Sequence, residues 1–471
     1  FITDAFTFYN LSGGTQAQSG QGSYRVNSKL VSFFGRANYS FKNRYNLTGV
    51  LRYDGSSRLA EGNQWSTFPA IAASWRISEE AFMQGRPLGL STLAIRAGIG
   101  RQGNQAVRPY GTQLLLRADE GARYVFGTGL VSGLVASQVS NPDLKWETAE
   151  QTNLGFDFGF NDNKVTGVLD FYNKKTKDLL LDVSVPQPAV VSTRLENVGN
   201  IENRGMELSL DADLYETNTR MFQAGLVMTV ERNEVTDLGG RTFIETGGVS
   251  GQGQSGRNSQ RIIVGEPIGT FYGATYVGVD SIGRQQFACT STTGRTDCVN
   301  GRTLSPSADD EGIIGNALPD FTLGFRSNGR WGRFDASWLW RGEFGREVFN
   351  NTALVYSTKS NVNQGRNFMA SALNDPIALG EPAIYSSRWI EDGSFIRLQN
   401  MTVGYSLDLP QRFGSGRTAR FYLSGDNLLL ITDYSGYDPE VFVASGLASR
   451  GIDYLTYPRA RTFTLGTRLQ F

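Results

Sequence analysis

Apolar and polar residues trade places at every second position over long stretches of the chain. Phe33, Gly35, Ala37, Tyr39 and Phe41 oppose Ser32, Arg36, Asn38 and Ser40, and Tyr45, Leu47, Leu51 and Tyr53 oppose Asn46, Thr48, Arg52 and Asp54. The same alternation returns around Ile71–Ile77, Leu93–Ile99, Leu154–Phe160, Leu208–Leu214, Phe222–Val230, Phe321–Phe325, Phe334–Trp340 and Met401–Leu407. A period of two predicts β-strands with one oily and one wet face. The last segment, Arg461 to Phe471, repeats the pattern and ends on the oily parity at an aromatic residue. The pattern predicts about 14–16 strands, each near the 9–11 residues that a tilted strand needs to cross a bilayer.

The wet parity carries both signs of charge, among them Arg52, Arg76, Arg96, Asp157, Asp211, Glu231 and Arg341. A solvated outer sheet face explains any one of these. A dozen strands with a consistently oily opposite face fit a water-filled lumen and a lipid-facing exterior better. The connections alternate too. Short ones fall near 42–44, 161–163, 215–218, 329–333 and 409–419, with Asn161-Asp162-Asn163 as a hairpin turn. Long ones fall near 54–65, 101–146, 178–197, 233–319, 342–393 and 429–460. Short periplasmic turns and long external loops are the habit of outer-membrane barrels. Residues 262–279 look like a strand, but the parity on either side needs an even number of crossings within 233–319. That places the segment in an external hairpin.

Composition narrows the choice. Lys plus Arg and Asp plus Glu balance at 45 each, so no basic field points to nucleic acid. Hydrophobic content of 39% with 56 glycines is low for a packed globule of 471 residues and suits a barrel, although a soluble β-repeat protein would share it. No apolar run is long enough for a transmembrane helix. Phe1-Ile-Thr-Asp4 has no leader character, so an upstream segment is expected. The chain has no His, which removes the commonest general base and metal ligand and weakens a barrel-enzyme reading. Cys289 and Cys298, the only cysteines, are expected to form a loop disulfide; two unpaired thiols are the alternative.

Most candidate chemistry falls away. Gly251-Gln-Gly-Gln-Ser-Gly256 matches a nucleotide loop but follows no strand and opens no helix. Asp309-Asp310-Glu311 reads as a solvated acidic loop before a calcium site, and Asp211 with Asp213 as lumen lining before an acid–base pair. No catalytic residue, metal or cofactor is expected. Aromatics beside the long loops are the candidates for ligand contact: Trp65, Tyr110, Trp146, Trp389 and Tyr437. Their rings could hold sugars or peptides, and an interfacial girdle or loop packing is the competing role.

Several segments resemble the SusC/RagA-like TonB-dependent outer-membrane transporters. They include Asn38–Thr48, Leu51–Arg58, Phe68–Ser78, Asn141-Pro-Asp-Leu-Lys-Trp-Glu-Thr148, Asp170–Asp178, Asn197–Gly205, Gly265-Glu-Pro-Ile-Gly269 and Ser435-Gly-Tyr-Asp-Pro439. The resemblance runs from about residue 30 to the end. It implies the C-terminal part of an all-β, roughly 22-stranded transmembrane barrel, filled in the parent by an N-terminal plug upstream of Phe1. It implies the outer membrane of a Gram-negative bacterium, with Phe471 as the insertion signal read by the barrel assembly machinery. It further implies uptake of an oligosaccharide or peptide, driven by the TonB complex through the upstream part, beneath a SusD-like surface lipoprotein. A passive porin or an adhesin is the alternative. An Asp-rich calcium motif found in many relatives is degenerate here around Ser305–Gly312.

Overall fold

The computed structural model describes residues 7–9, 23–83, 85, 89–127, 129–186, 188–251, 253–254, 256–290, 296–409, 417–441 and 450–470. Its frame is a single 13-stranded sheet. The strands are β1 (Leu30–Phe41), β2 (Tyr45–Ser56), β3 (Trp65–Arg76), β4 (Leu90–Asn104), β5 (Glu147–Phe160), β6 (Val165–Lys177) and β7 (Asn200–Glu216). They continue with β8 (Arg220–Asp237), β9 (Phe321–Trp331), β10 (Phe334–Phe344), β11 (Phe395–Asp408), β12 (Thr418–Thr432) and β13 (Thr462–Gln470). Each pairs antiparallel with the one before it, and β1 and β13 are the two edges. No helix among the described residues is long and apolar enough to cross a membrane.

The register keeps the two parities apart around the sheet. One oily row runs Tyr39–Leu47–Ala73–Ala97–Leu154–Phe171–Met206–Val230–Phe321. One residue along, the wet row runs Asn38–Thr48–Ala72–Gly98–Asn153–Tyr172–Gly205–Glu231. A slip of one residue would exchange the faces, so the alternation itself fixes the pairing. The oily set is not a compact core: Leu465 is 82% exposed, Ile99 55%, and Phe156, Leu208 and Leu226 are partly exposed. Aromatic stacks mark both ends of that face. Tyr45 stacks on Trp75 at 6.3 Å near the short turns, and Tyr53 on Trp65 at 4.9 Å near the long loops. Trp65 and Trp75 lie on one strand, about 33 Å apart along it. At a tilt of about 45° this is about 23 Å along the membrane normal, close to the apolar band of a barrel.

Four of the five expected short turns form near 42–44, 161–163, 215–218 and 329–333, and the fifth, 409–419, lies largely outside the described residues. Asn161, Asp162 and Asn163 all take positive φ, a conformation that Asn and Asp tolerate best among residues with a Cβ. The strand count is lower than the pattern suggested, 13 among the described residues. The excess strands pair with each other inside the loops. Leu115–Phe126 with Gly129–Gln138, and Leu180–Ser184 with Thr193–Asn197, are free-standing hairpins. Asn258–Ile263 and Thr270–Ala274 belong to a separate four-stranded sheet, so the segment 262–279 does lie off the large sheet. Buried apolar side chains gather under the loops. One cluster is Leu59, Ala60, Phe68, Val107, Leu144 and Trp146, and a larger one is centred on Val235, Leu238 and Ile262.

Two outcomes follow from this layout. Leu226 and Val227 are neighbours on opposite faces of β8. Leu226→Arg puts a charge into lipid and should lower the folding free energy read from a urea titration in lipid vesicles by about 2–4 kcal/mol, while Val227→Arg should leave it nearly unchanged. Equal losses would show that the faces are misassigned. On Gly103 a Cβ would come 2.2 Å from the buried Phe68 ring and 2.8 Å from Trp146. Gly103→Ala should therefore cost about 1–3 kcal/mol in the same titration.

Candidate functional site

Ion pairs on the wet face span whole strands. Arg96 on β4 reaches Asp157 on β5 at 2.9 Å and Asp170 on β6 at 3.1 Å. Arg326 on β9 reaches Asp211 on β7 at 2.6 Å, and Arg420 on β12 donates to Asp335 on β10 at 2.9 Å. Each time the strand passed over carries a glycine in line: Gly155, Gly225 and Gly404. A Cβ there would lie 2.3–2.8 Å from the bridging side chains. All three glycines sit about five residues from a short turn, so the bridges form one belt at the turn end of the wet face. Asp213 accepts a hydrogen bond from Gln223 at 2.6 Å and Asp211 is paired, so neither carboxylate is available as an acid–base couple.

The long connections fold into a lobe at the other end. Its core joins Val249, Phe271, Ala317, Phe349, Leu354, Tyr385, Trp389 and Ile452, drawn from three connections. The helix Asn351–Ser357 starts with the Asn350 side chain accepting from the Ala353 N–H. Tyr385 donates to the Ser259 carbonyl at 2.6 Å, and burial pushes its hydroxyl well above the ordinary tyrosine range. Burial also raises the carboxyl of Glu347, against a hydrogen bond from the Asn316 N–H. Cys289 and Cys298 form a disulfide in this lobe. In the acidic run at 309–311, Asp310 is taken up by a capping box with Ser307.

A buried charge network ties the lobe to the sheet. Arg397 on β11, 3% exposed, meets Asp438 at 2.6 Å and Glu440 at 3.1 Å. Arg341 on β10 pairs with Glu440 and with Glu343, and Arg459 approaches Glu440 at 3.4 Å. Arg346 holds Glu343 at 2.6 Å. Close by, Tyr434 donates to Asp453 at 2.7 Å, and burial followed by that hydrogen bond raises its hydroxyl. Alternation placed Arg341 on the wet face, but nothing in the spacing paired it with Glu440. The only trace was Asp438 inside the Ser435–Pro439 segment.

The five aromatic candidates part company. Trp65 has the oily parity and sits in the interfacial stack with Tyr53 and Phe33, so it faces away from the lumen. Trp146 is 5% exposed, edge-on to Phe68, and donates to the Gln64 carbonyl at 2.9 Å. Trp389 is 8% exposed in the lobe core. These two lie in cores because segments distant in sequence close over the rings, which loop sequence does not reveal. Tyr110 is half-buried with positive φ, its hydroxyl accepting from the Asn27 N–H at 3.2 Å. Tyr437 is 75% exposed beside the charge network. Phe471 lies outside the described residues.

Comparison with known proteins agrees with this geometry. The family model "TonB dependent receptor-like, beta-barrel" matches residues 2–428. The chain is 33% identical over 500 residues to TonB-dependent receptor P3 of Formosa agariphila, covering 100% of this chain and 48% of that protein. It is 33% identical over 470 residues to TonB-dependent receptor SusC of Bacteroides thetaiotaomicron, covering 96% of this chain and 44% of that one. The RagAB peptide transporter superposes with a TM-score of 0.80 at 26% identity, over 97% of this chain and 50% of that one. The chain thus spans about half the length of these relatives. These are transporters and receptors rather than enzymes, and with its lipid-facing sheet and looped cap this chain belongs to the same TonB-dependent, SusC/RagA-like β-barrel family of Gram-negative outer membranes.

Proposed function

We propose that this chain is the C-terminal barrel part, residues 1–471, of an outer-membrane importer for a nutrient of the oligosaccharide or peptide class. The loops at about 101–146, 233–319, 342–393 and 429–460 face the cell exterior and gather the ligand. A SusD-like lipoprotein closes over them, and the TonB complex supplies energy through an upstream plug domain. The barrel assembly machinery inserts the protein, with Phe471 as part of its signal. The observation that carries the reading is the lobe of three long connections pinned by the Arg397 network over one end of a charged, lipid-shielded wall. A passive porin needs no such lobe, and an adhesin needs no charged lumen. Of the aromatic candidates, Tyr437 and Tyr110 are kept as ligand contacts, supported by the exposure of Tyr437 and the partial exposure of Tyr110.

Two measurements test this. In cells carrying the full-length protein, uptake of labelled oligosaccharides or peptides should disappear when TonB is deleted; undiminished uptake would leave a passive pore. Arg397→Met strips Asp438 and Glu440 of their most buried partner, a loss of about 3–5 kcal/mol for a broken buried pair. It should speed proteolysis within 433–461 and depress uptake. Arg204→Met, which breaks an exposed contact of 3.7 Å to Glu234, should change neither.

A further inference from the structure

The oily parity turns charged before the strands end. On β8 it runs Phe222, Ala224, Leu226, Met228 and Val230, and then becomes Arg232 and Glu234. Toward the loops, Met206 on β7 is followed by Arg204 and Glu202, and Phe171 on β6 by Asn173 and Lys175. No register shift intervenes, so these side chains stand on the lipid side with the oily row. At the turn end of the same parity, Arg220 lies over the exposed Trp331 ring at 3.7 Å. Arg220 and Arg232 are 12 residues apart on β8, about 40 Å along the strand. At a tilt of about 45° that is about 28 Å along the membrane normal, just beyond an apolar band of about 25 Å. The two arginines bracket the band, and Arg232 stands at the headgroup level on the loop side. β7 and β8 lie in the middle of the sheet, so what pairs with β1 or β13 does not alter this face.

Arg232 is paired in register with Arg204. Like charges directly opposite each other on one face repel. The nearby carboxylates are already shared out: Glu234 lies 3.7 Å from Arg204, Glu202 3.8 Å from Lys175 and Glu150 3.3 Å from Lys177. Among the described residues, no carboxylate is left within ion-pair distance of Arg232. The contacts of Arg204 and Lys175 are too long for hydrogen bonds, and both side chains are more than half exposed. On the wet face, by contrast, Arg96 and Arg326 close to 2.6–3.1 Å on their carboxylates. A phosphate between two guanidinium groups turns their repulsion into forked, charge-assisted contacts. We propose that Arg204, Arg232 and Lys175 hold a phosphate group of an outer-leaflet lipid, a phosphorylated saccharide lipid whose acyl chains lie along Phe171, Met206 and Val230. This rests on the orientation proposed above, with the long loops outward. The site is on the lipid side of the wall, and the import path does not run through it.

The test uses the full-length protein in detergent, titrated with bisphosphorylated lipid A while native mass spectrometry counts the bound lipid. Arg232→Met should weaken binding about tenfold, the loss of one charge-assisted contact. Arg232→Lys keeps the charge without the planar fork and should fall between the two. Lipid A stripped of both phosphates should bind more weakly, and alike to wild type and Arg232→Met. Arg220→Met, on the same face at the other end of the strand, should leave lipid A binding unchanged. Should Arg232→Met fail to assemble, Lys175→Met reports on the same site. Undiminished binding by Arg232→Met, equal wild-type affinity for the phosphate-free lipid, or full competition by inorganic phosphate would overturn the site. A wild-type dimer that parts in Arg232→Met would overturn it too, and would give this face to a second copy of the chain. Phosphatidylglycerol preferred over lipid A, with the same dependence on Arg232, would overturn the loop orientation and the choice of lipid with it, so the two failures are read apart.

Discussion

A backbone in hydrocarbon has no water to satisfy its N–H and C=O groups, so each must find a partner in the protein. Everything else in this chain accommodates that demand. Strands pair with their sequence neighbours because antiparallel partners need only a short turn, and the 13-stranded sheet follows the chain without a crossover. Once the backbone is paired, one face meets lipid and the other water, and alternation in the sequence becomes a physical necessity. The oily row from Tyr39 to Phe321 and the wet row from Asn38 to Glu231 are the two sides of that solution.

The wet face has its own logic. Charges there are only half-buried, and a single pair contributes little stability. The bridges over Gly155, Gly225 and Gly404 therefore matter more for neutrality and shape than for energy. They keep arginines and carboxylates flat against the wall near the turn end.

The loop lobe answers a different constraint. Long external connections cannot rely on lipid, so they build small cores of their own around Phe271, Tyr385 and Trp389 and around Val235 and Leu238. The Arg341, Arg397 and Arg459 cluster closes on Asp438 and Glu440 and fixes the last connection to β10 and β11. At 3% exposure Arg397 is the most costly charge in the network to bury, and Asp438 and Glu440 together offset that cost.

Alternation by itself determined the fold class, the face of nearly every strand residue and the alternation of short and long connections. These are local properties: a period of two survives whatever the strand packs against, and Asn161-Asp162-Asn163 turns wherever it stands. The segment 262–279 could be assigned to the loops because parity counts crossings. What a loop side chain touches is not local. Trp146 and Trp389 read as ligand-facing rings and became core, Trp65 fell on the lipid side, and the charge network joins Arg397 to Asp438 and Arg341 to Glu440, pairs 41 and 99 residues apart in sequence. Only the tertiary structure decided these, because burial in a loop depends on which distant segments close over it, and no spacing along the chain encodes that.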